Sequence, residues 1–134
     1  MSIRKAMALV LMAFAMTVAA APESQVTVDL EALQSNAQAG DRVAQYNLGV
    51  LHETGQYGVT PDKAEAARWY HKSAEQGYEN AQYNLGVLYL RGEGVEQDPQ
   101  AAVHWLRLAA DQLNPAAIAA LEKLGVGQPE PAGQ

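Results

Sequence analysis

Residues 44–51 read AQYNLGVL, and residues 81–88 read AQYNLGVL again. An eight-residue identity at a fixed interval is the mark of a tandem structural unit, not of chance. The match runs on beyond the identity. His52 aligns with Tyr89, Gly55 with Gly92, and Gly58-Val59 with Gly94-Val95. The first copy holds one extra residue in this turn, so the interval falls from 37 to 36. Asp62 then aligns with Asp98, Ala66 with Ala102, Trp69 with Trp105, Ala74 with Ala110 and Gln76 with Gln112.

Each copy reads as two helices, A and B. Helix A of the first copy spans about residues 41–53, with Ala44, Leu48 and Leu51 at helical spacing. The Gly55–Gly58 region ends it, because glycine accepts the positive φ found past helix ends. Thr60-Pro61 is expected to open helix B, with Thr as cap and Pro at the first helical position. Asp98-Pro99 does the same in the second copy. The B helices run over about residues 61–76 and 99–112, stopping at Gly77 and near Asn114-Pro115. Residues 28–39 read as an earlier helix B, since Gly40 stands 37 positions before Gly77. Residues 116–124 read as a third helix A, with Ala117 and Leu121 continuing the register of Ala81 and Leu85. The expected fold is all-α: a short right-handed α/α solenoid of helix-turn-helix repeats in the order B-A-B-A-B-A. Full repeats lie at about 44–80 and 81–116, flanked by half repeats, within an array spanning 21–124. Residues 125–134, rich in Gly and Pro, read as a flexible tail.

Glycine inside a helix costs about 1 kcal/mol relative to alanine. Gly49 and Gly86 accept that cost in both copies, which implies a helix contact too close for a side chain. Trp69 and Trp105 are expected to fill the space between helix pairs, where a ring can bury about 150–250 Å².

These residues resemble the Sel-one-like repeat family, a branch of the tetratricopeptide-like α-solenoids. The family pattern is an alanine, Leu-Gly, an aromatic, a Gly-x-Gly-Val turn, an Asp and a Trp-Tyr stretch closed by Ala-Ala-x-x-Gly. It is met by Ala81, Leu85-Gly86, Tyr89, Gly92–Val95, Asp98, Trp105 and Ala109-Ala110. In the first copy it is met by Ala44, Leu48-Gly49, Gly55, Gly58-Val59, Asp62, Trp69-Tyr70, Ala74 and Gly77. His52 replaces the aromatic, Leu106 the tyrosine and Leu113 the closing glycine. The resemblance implies a scaffold or adaptor that binds another protein on a concave face lined by A helices. By similarity to tetratricopeptide arrays, Tyr46, Val50 and Glu53 would face the groove, with Tyr83, Val87, Leu90 and Arg91 as their counterparts. Tyrosine and arginine are common interface anchors, though packing between repeats is the competing role for Tyr46 and Tyr83. Neither full A helix carries a lysine, so a basic clamp for C-terminal carboxylates is not expected.

The first twenty residues read separately. Arg4-Lys5, the uncharged run 6–16 and the small residues 17–21 follow the plan of a secretory signal peptide. Cleavage after Ala20 is expected, which places the mature chain in a bacterial periplasm or outside the cell. The run is shorter than the ~20 residues of a spanning helix, so no stable membrane insertion is expected after cleavage. Losing Arg4 and Lys5 takes the net charge from −6 to −8. An acidic surface repels nucleic acid, whose binding needs clustered Lys and Arg. The chain has no cysteine, so packing alone must stabilise it.

No motif for chemistry appears. His52, His71 and His104 lack metal-ligand spacing, and the Gly92 turn has no Gly-Lys-Ser/Thr to follow. Glu93, Glu96 and Asp98 form a small acidic cluster that reads as a capped turn with solvated charges. No catalytic residue, cofactor or metal is expected. The leading expectation is an exported protein–protein interaction module. One alternative is an immunity or inhibitor protein that neutralises an exported toxin or enzyme. Another is an envelope hydrolase acting on the cell wall or a β-lactam, which would need a polar group such as Glu53.

Overall fold

The structure is a computed structural model and describes residues 28–127. The expected leader, residues 1–20, lies outside the described residues, as do residues 21–27 and 128–134. The described residues form six α-helices: α1 (Leu30–Gln38), α2 (Arg42–Thr54), α3 (Lys63–Glu75), α4 (Glu79–Arg91), α5 (Pro99–Asp111) and α6 (Pro115–Lys123). A single 3-10 turn, Gln56–Gly58, links α2 to α3. The order B-A-B-A-B-A is therefore the order of the described helices. Each helix packs on the next one in the chain.

Most helix starts carry the carboxylate or amide that their free N–H groups need. Asp29, Asp41, Asp62, Asp98 and Asn114 each accept from a backbone N–H of the first turn. One expectation is corrected here. Thr60-Pro61 does not open α3; Asp62 is its cap and Lys63 its first residue. Pro61 instead lies against Gly55 and closes the longer first turn. The Asp62 N–H donates to the His52 carbonyl at 2.7 Å, and that of Asp98 to the Tyr89 carbonyl at 3.0 Å. The two turns thus reach one anchor by different lengths of chain. Similarly, Asn114-Pro115 marks the start of α6 as well as the end of the segment before it.

The core divides into three clusters along the array. Trp69 packs with Ala37, Ala44 and Leu48 between α1, α2 and α3. Tyr70 joins Ala66, Ala74, Ala81, Leu85 and Leu88, with Trp105 against them. Leu106, Ala109 and Ala117 form the third. Leu85, Leu88 and Leu106 are fully buried, each contributing about 1.5–3 kcal/mol.

Both helix glycines are explained by closeness. A Cβ on Gly49 would stand 2.5 Å from the Tyr70 ring, and one on Gly86 would stand 2.9 Å from Leu106 Cγ. Tyr70 and Leu106 are repeat equivalents, so the same notch receives the residue that follows each tryptophan.

A glutamine pair also repeats, with one buried member, Gln45 or Gln82, and one exposed member, Gln76 or Gln112. Gln45 Nε2 donates back to the Ala37 carbonyl, and Gln76 Nε2 donates to Gln45 Oε1 and the Gly40 carbonyl. Gln82 and Gln112 repeat all three bonds one unit on, to Ala74, Gln82 and Gly77. A buried amide left without partners is costly, so the bonds of Gln45 and Gln82 favour one spacing between neighbouring units. In the two outer described helices the pair is absent: Ala39 stands at the Gln76 position after α1, and Ile118 at the Gln82 position of α6.

Candidate interaction face

Helices α2 and α4 carry the residues expected to face a partner. Tyr46 and Val50 are half-buried and pack against the middle cluster. Tyr83 and Leu90 pack in the same way against the third. Val87 is half-buried, and Arg91 is exposed at the end of α4. Tyr46, Val50, Tyr83 and Leu90 therefore use part of their surface to join units, and only the remainder is open to a partner.

Glu53 has a defined partner within the chain. The Tyr70 hydroxyl, on a fully buried side chain, donates to Glu53 Oε2 at 2.6 Å. Burial pushes the Tyr70 phenol well above the usual tyrosine range, and the neighbouring Glu53 carboxylate adds to it. Tyr46 lies 5.8 Å from the Tyr70 ring and meets Tyr78 edge-on at 5.1 Å. Burial raises the Tyr46 phenol too, with the Asn84 side chain partly offsetting it. Beyond Tyr78, Asn114 Nδ2 donates to Asn80 Oδ1 at 3.2 Å. A tyrosine and asparagine seam thus runs beside α4.

The second unit has no such pair. Glu53 is matched by Leu90, and Tyr70 by Leu106. The two positions change together: a hydrogen-bonded pair in one unit, an aliphatic pair in the next. This coupling was hidden in the sequence, because the partners lie 17 residues apart on different helices.

The remaining polar groups have local roles. Glu93 pairs with Lys63, which lowers its carboxyl below the usual range, and Asp98 caps α5. His71 and His104 lie on different helices yet both meet the Trp105 ring edge-on, at 5.5 and 5.2 Å. His52 Nδ1 is buried without a hydrogen-bond partner. Among the described residues, no helix is long and apolar enough to cross a membrane.

The Sel1 repeat family model matches this chain at residues 42–78 and 80–112. A Sel1 repeat protein from Oxalobacter formigenes is 39% identical, with a TM-score of 0.69 over 71% of this chain. A protective antigen present in uropathogenic Escherichia coli strains, displaying an SLR fold, is 38% identical, with a TM-score of 0.67 over 69% of this chain. The chain spans only 27% and 20% of those two structures. None of the curated proteins matches it.

Proposed function

Because the chain belongs to the Sel1 repeat family, whose fold is typical of protein–protein interaction modules, we propose that it is an exported adaptor or regulator that binds another protein through the face of α2 and α4. The observation that carries this reading is the row of half-open side chains on two equivalent helices. Tyr46, Val50, Tyr83 and Val87 combine rings and aliphatic surface already held by packing, so little side-chain entropy is lost on docking. Arg91 adds a charged anchor at the end of the row. Glu53 serves chiefly to seat Tyr70, with its open edge at the rim.

Export rests on the leader-like plan of residues 1–20. The acidic balance favours a partner with a basic or neutral contact surface over nucleic acid. The test is a pull-down from periplasmic extract with the purified chain, repeated with Val87→Glu and Arg91→Glu. A stoichiometric partner retained by the parent chain and lost with both variants is the expected result. A partner retained equally by all three would remove this face from the account. Turnover of a cell-wall substrate, lost on changing Glu53, would overturn the binding role itself.

A further inference from the structure

One cleft recurs three times along the array. The first lies between α1 and the following unit, lined by Leu30, Gln34, His52, Val59 and Trp69. The second is lined on α3 by Ala64, Ala67, Arg68 and His71, and closed by Val95. The third is lined on α5 by Gln100, Val103, His104 and Arg107, and closed by Val126. Those four α5 positions are the repeat equivalents of the four on α3, and Val126 stands in for Val95 and Val59. The clefts differ in volume: about 280 and 230 Å³ for the first two, and about 520 Å³ for the third.

The difference has a visible cause. At each inner cleft the next helix B supplies an indole. Trp69 lines the first, and Trp105 lies edge-on to His71 in the second. Among the described residues, no further helix B follows α6 to line the third cleft. We propose that this outer cleft accepts a tryptophan side chain presented by a partner polypeptide. Arg107, at the position of His71, would lie against the incoming ring, a favourable place for a cation. Val103 and Leu108 supply the apolar wall.

A second copy of this chain is a poor occupant. Its leading helix, α1, carries Ala32 at the Trp69 position. The notch that seats a whole helix B is also closed, because Glu122 stands where Gly49 and Gly86 do. What remains open is room for one side chain, not for another unit. Residues 128–134, QPEPAGQ, hold no aromatic ring, and both tryptophans of the chain are already packed. The inference is independent of any partner on α2 and α4.

The test uses N-acetyl-5-fluorotryptophanamide as probe, followed by fluorine NMR against the full chain. Saturable binding is expected, displaced by N-acetyltryptophanamide and not by N-acetylalaninamide. Amide shifts in the labelled chain should gather at Val103, Arg107, Leu108 and Val126. Val103→Glu should weaken binding at least about ten-fold by placing a carboxylate against the ring. Arg107→Ala, at an exposed position, should weaken it about three-fold and decides alone if Val103→Glu loses its helical circular dichroism. Non-saturable binding, displacement by the alanine compound, or shifts centred elsewhere would overturn the proposal. So would a dimer in sedimentation that Val103→Glu dissociates, since a second copy would then own the cleft.

Discussion

Replacing both Glu53 and Tyr70 by leucine writes the second unit's chemistry into the first, and its energetics can be worked in advance. Glu53→Leu removes the acceptor of a hydroxyl whose side chain is fully buried. An unsatisfied buried donor costs about 1–3 kcal/mol, and the leucine recovers part of that through apolar contact, so a net loss of about 1–2 kcal/mol is expected. Tyr70→Leu removes ring volume beneath Gly49 and the contact with Tyr46. By comparison with large-to-small core changes, that loss is about 2–3 kcal/mol. The double variant leaves no orphan hydroxyl and no unpaired carboxylate, and it restores the aliphatic pairing seen at Leu90 and Leu106. It should therefore be more stable than the sum of the single changes predicts, by about 1–2 kcal/mol. Urea unfolding monitored by tryptophan fluorescence supplies all four corners of the cycle, provided the slope m stays constant. Additivity within about 0.5 kcal/mol would refute the idea that the two positions act as one unit.

Three further outcomes follow from the same packing. Gly86→Leu should unfold or badly loosen the array, and Gly49→Ala should cost about 1–3 kcal/mol of overpacking against its gain in helix propensity; melting of Gly86→Leu like the parent chain would defeat the close-contact account. Leu113 holds φ 65° and is 79% exposed, at the position where Gly77 holds φ 83°, so Leu113→Gly should raise stability by about 0.5–1 kcal/mol; an unchanged or lower urea midpoint would count against strain there. The Tyr70 phenol is raised in the folded state, so its stabilising share is complete below the ordinary tyrosine value of about 10 and is lost as pH climbs above it. Tyrosinate absorbance and circular dichroism should show its ionisation only alongside loss of helix, and six tyrosines titrating while the helical signal stays intact would contradict this.

Much of the architecture was legible because the chain repeats itself. The identity at 44–51 and 81–88 set the register, and the flanking half units followed from Gly40 and from Ala117 and Leu121. Reading failed where the copies differ. The extra residue in the first turn shifts proline relative to the cap, so Thr60-Pro61 resembles a helix start although Asp62 makes the hydrogen bond. Glu53 looked like a groove residue because a lone carboxylate on a helix shows nothing of the tyrosine it meets. Its counterpart Leu90 concealed the link further, since only the pair with Leu106 makes the exchange sensible. Gln45, Gln76, Gln82 and Gln112 were visible as recurrent letters. Their bonds were not, because recurrence fixes position and leaves open which unit a side chain reaches toward.

That backward reach bears on how such a chain can grow by gene duplication. Each glutamine pair finds its acceptors partly in the unit before it. A fragment cut to one helix pair would therefore lose acceptors, whereas a block of 36 or 37 residues spliced between existing units brings two reaching amides and two waiting carbonyls. Inserts of that length heal both junctions at once. Inserts of other lengths strand a buried amide such as Gln45 or Gln82 in the interior, so this fold should gain or lose whole blocks.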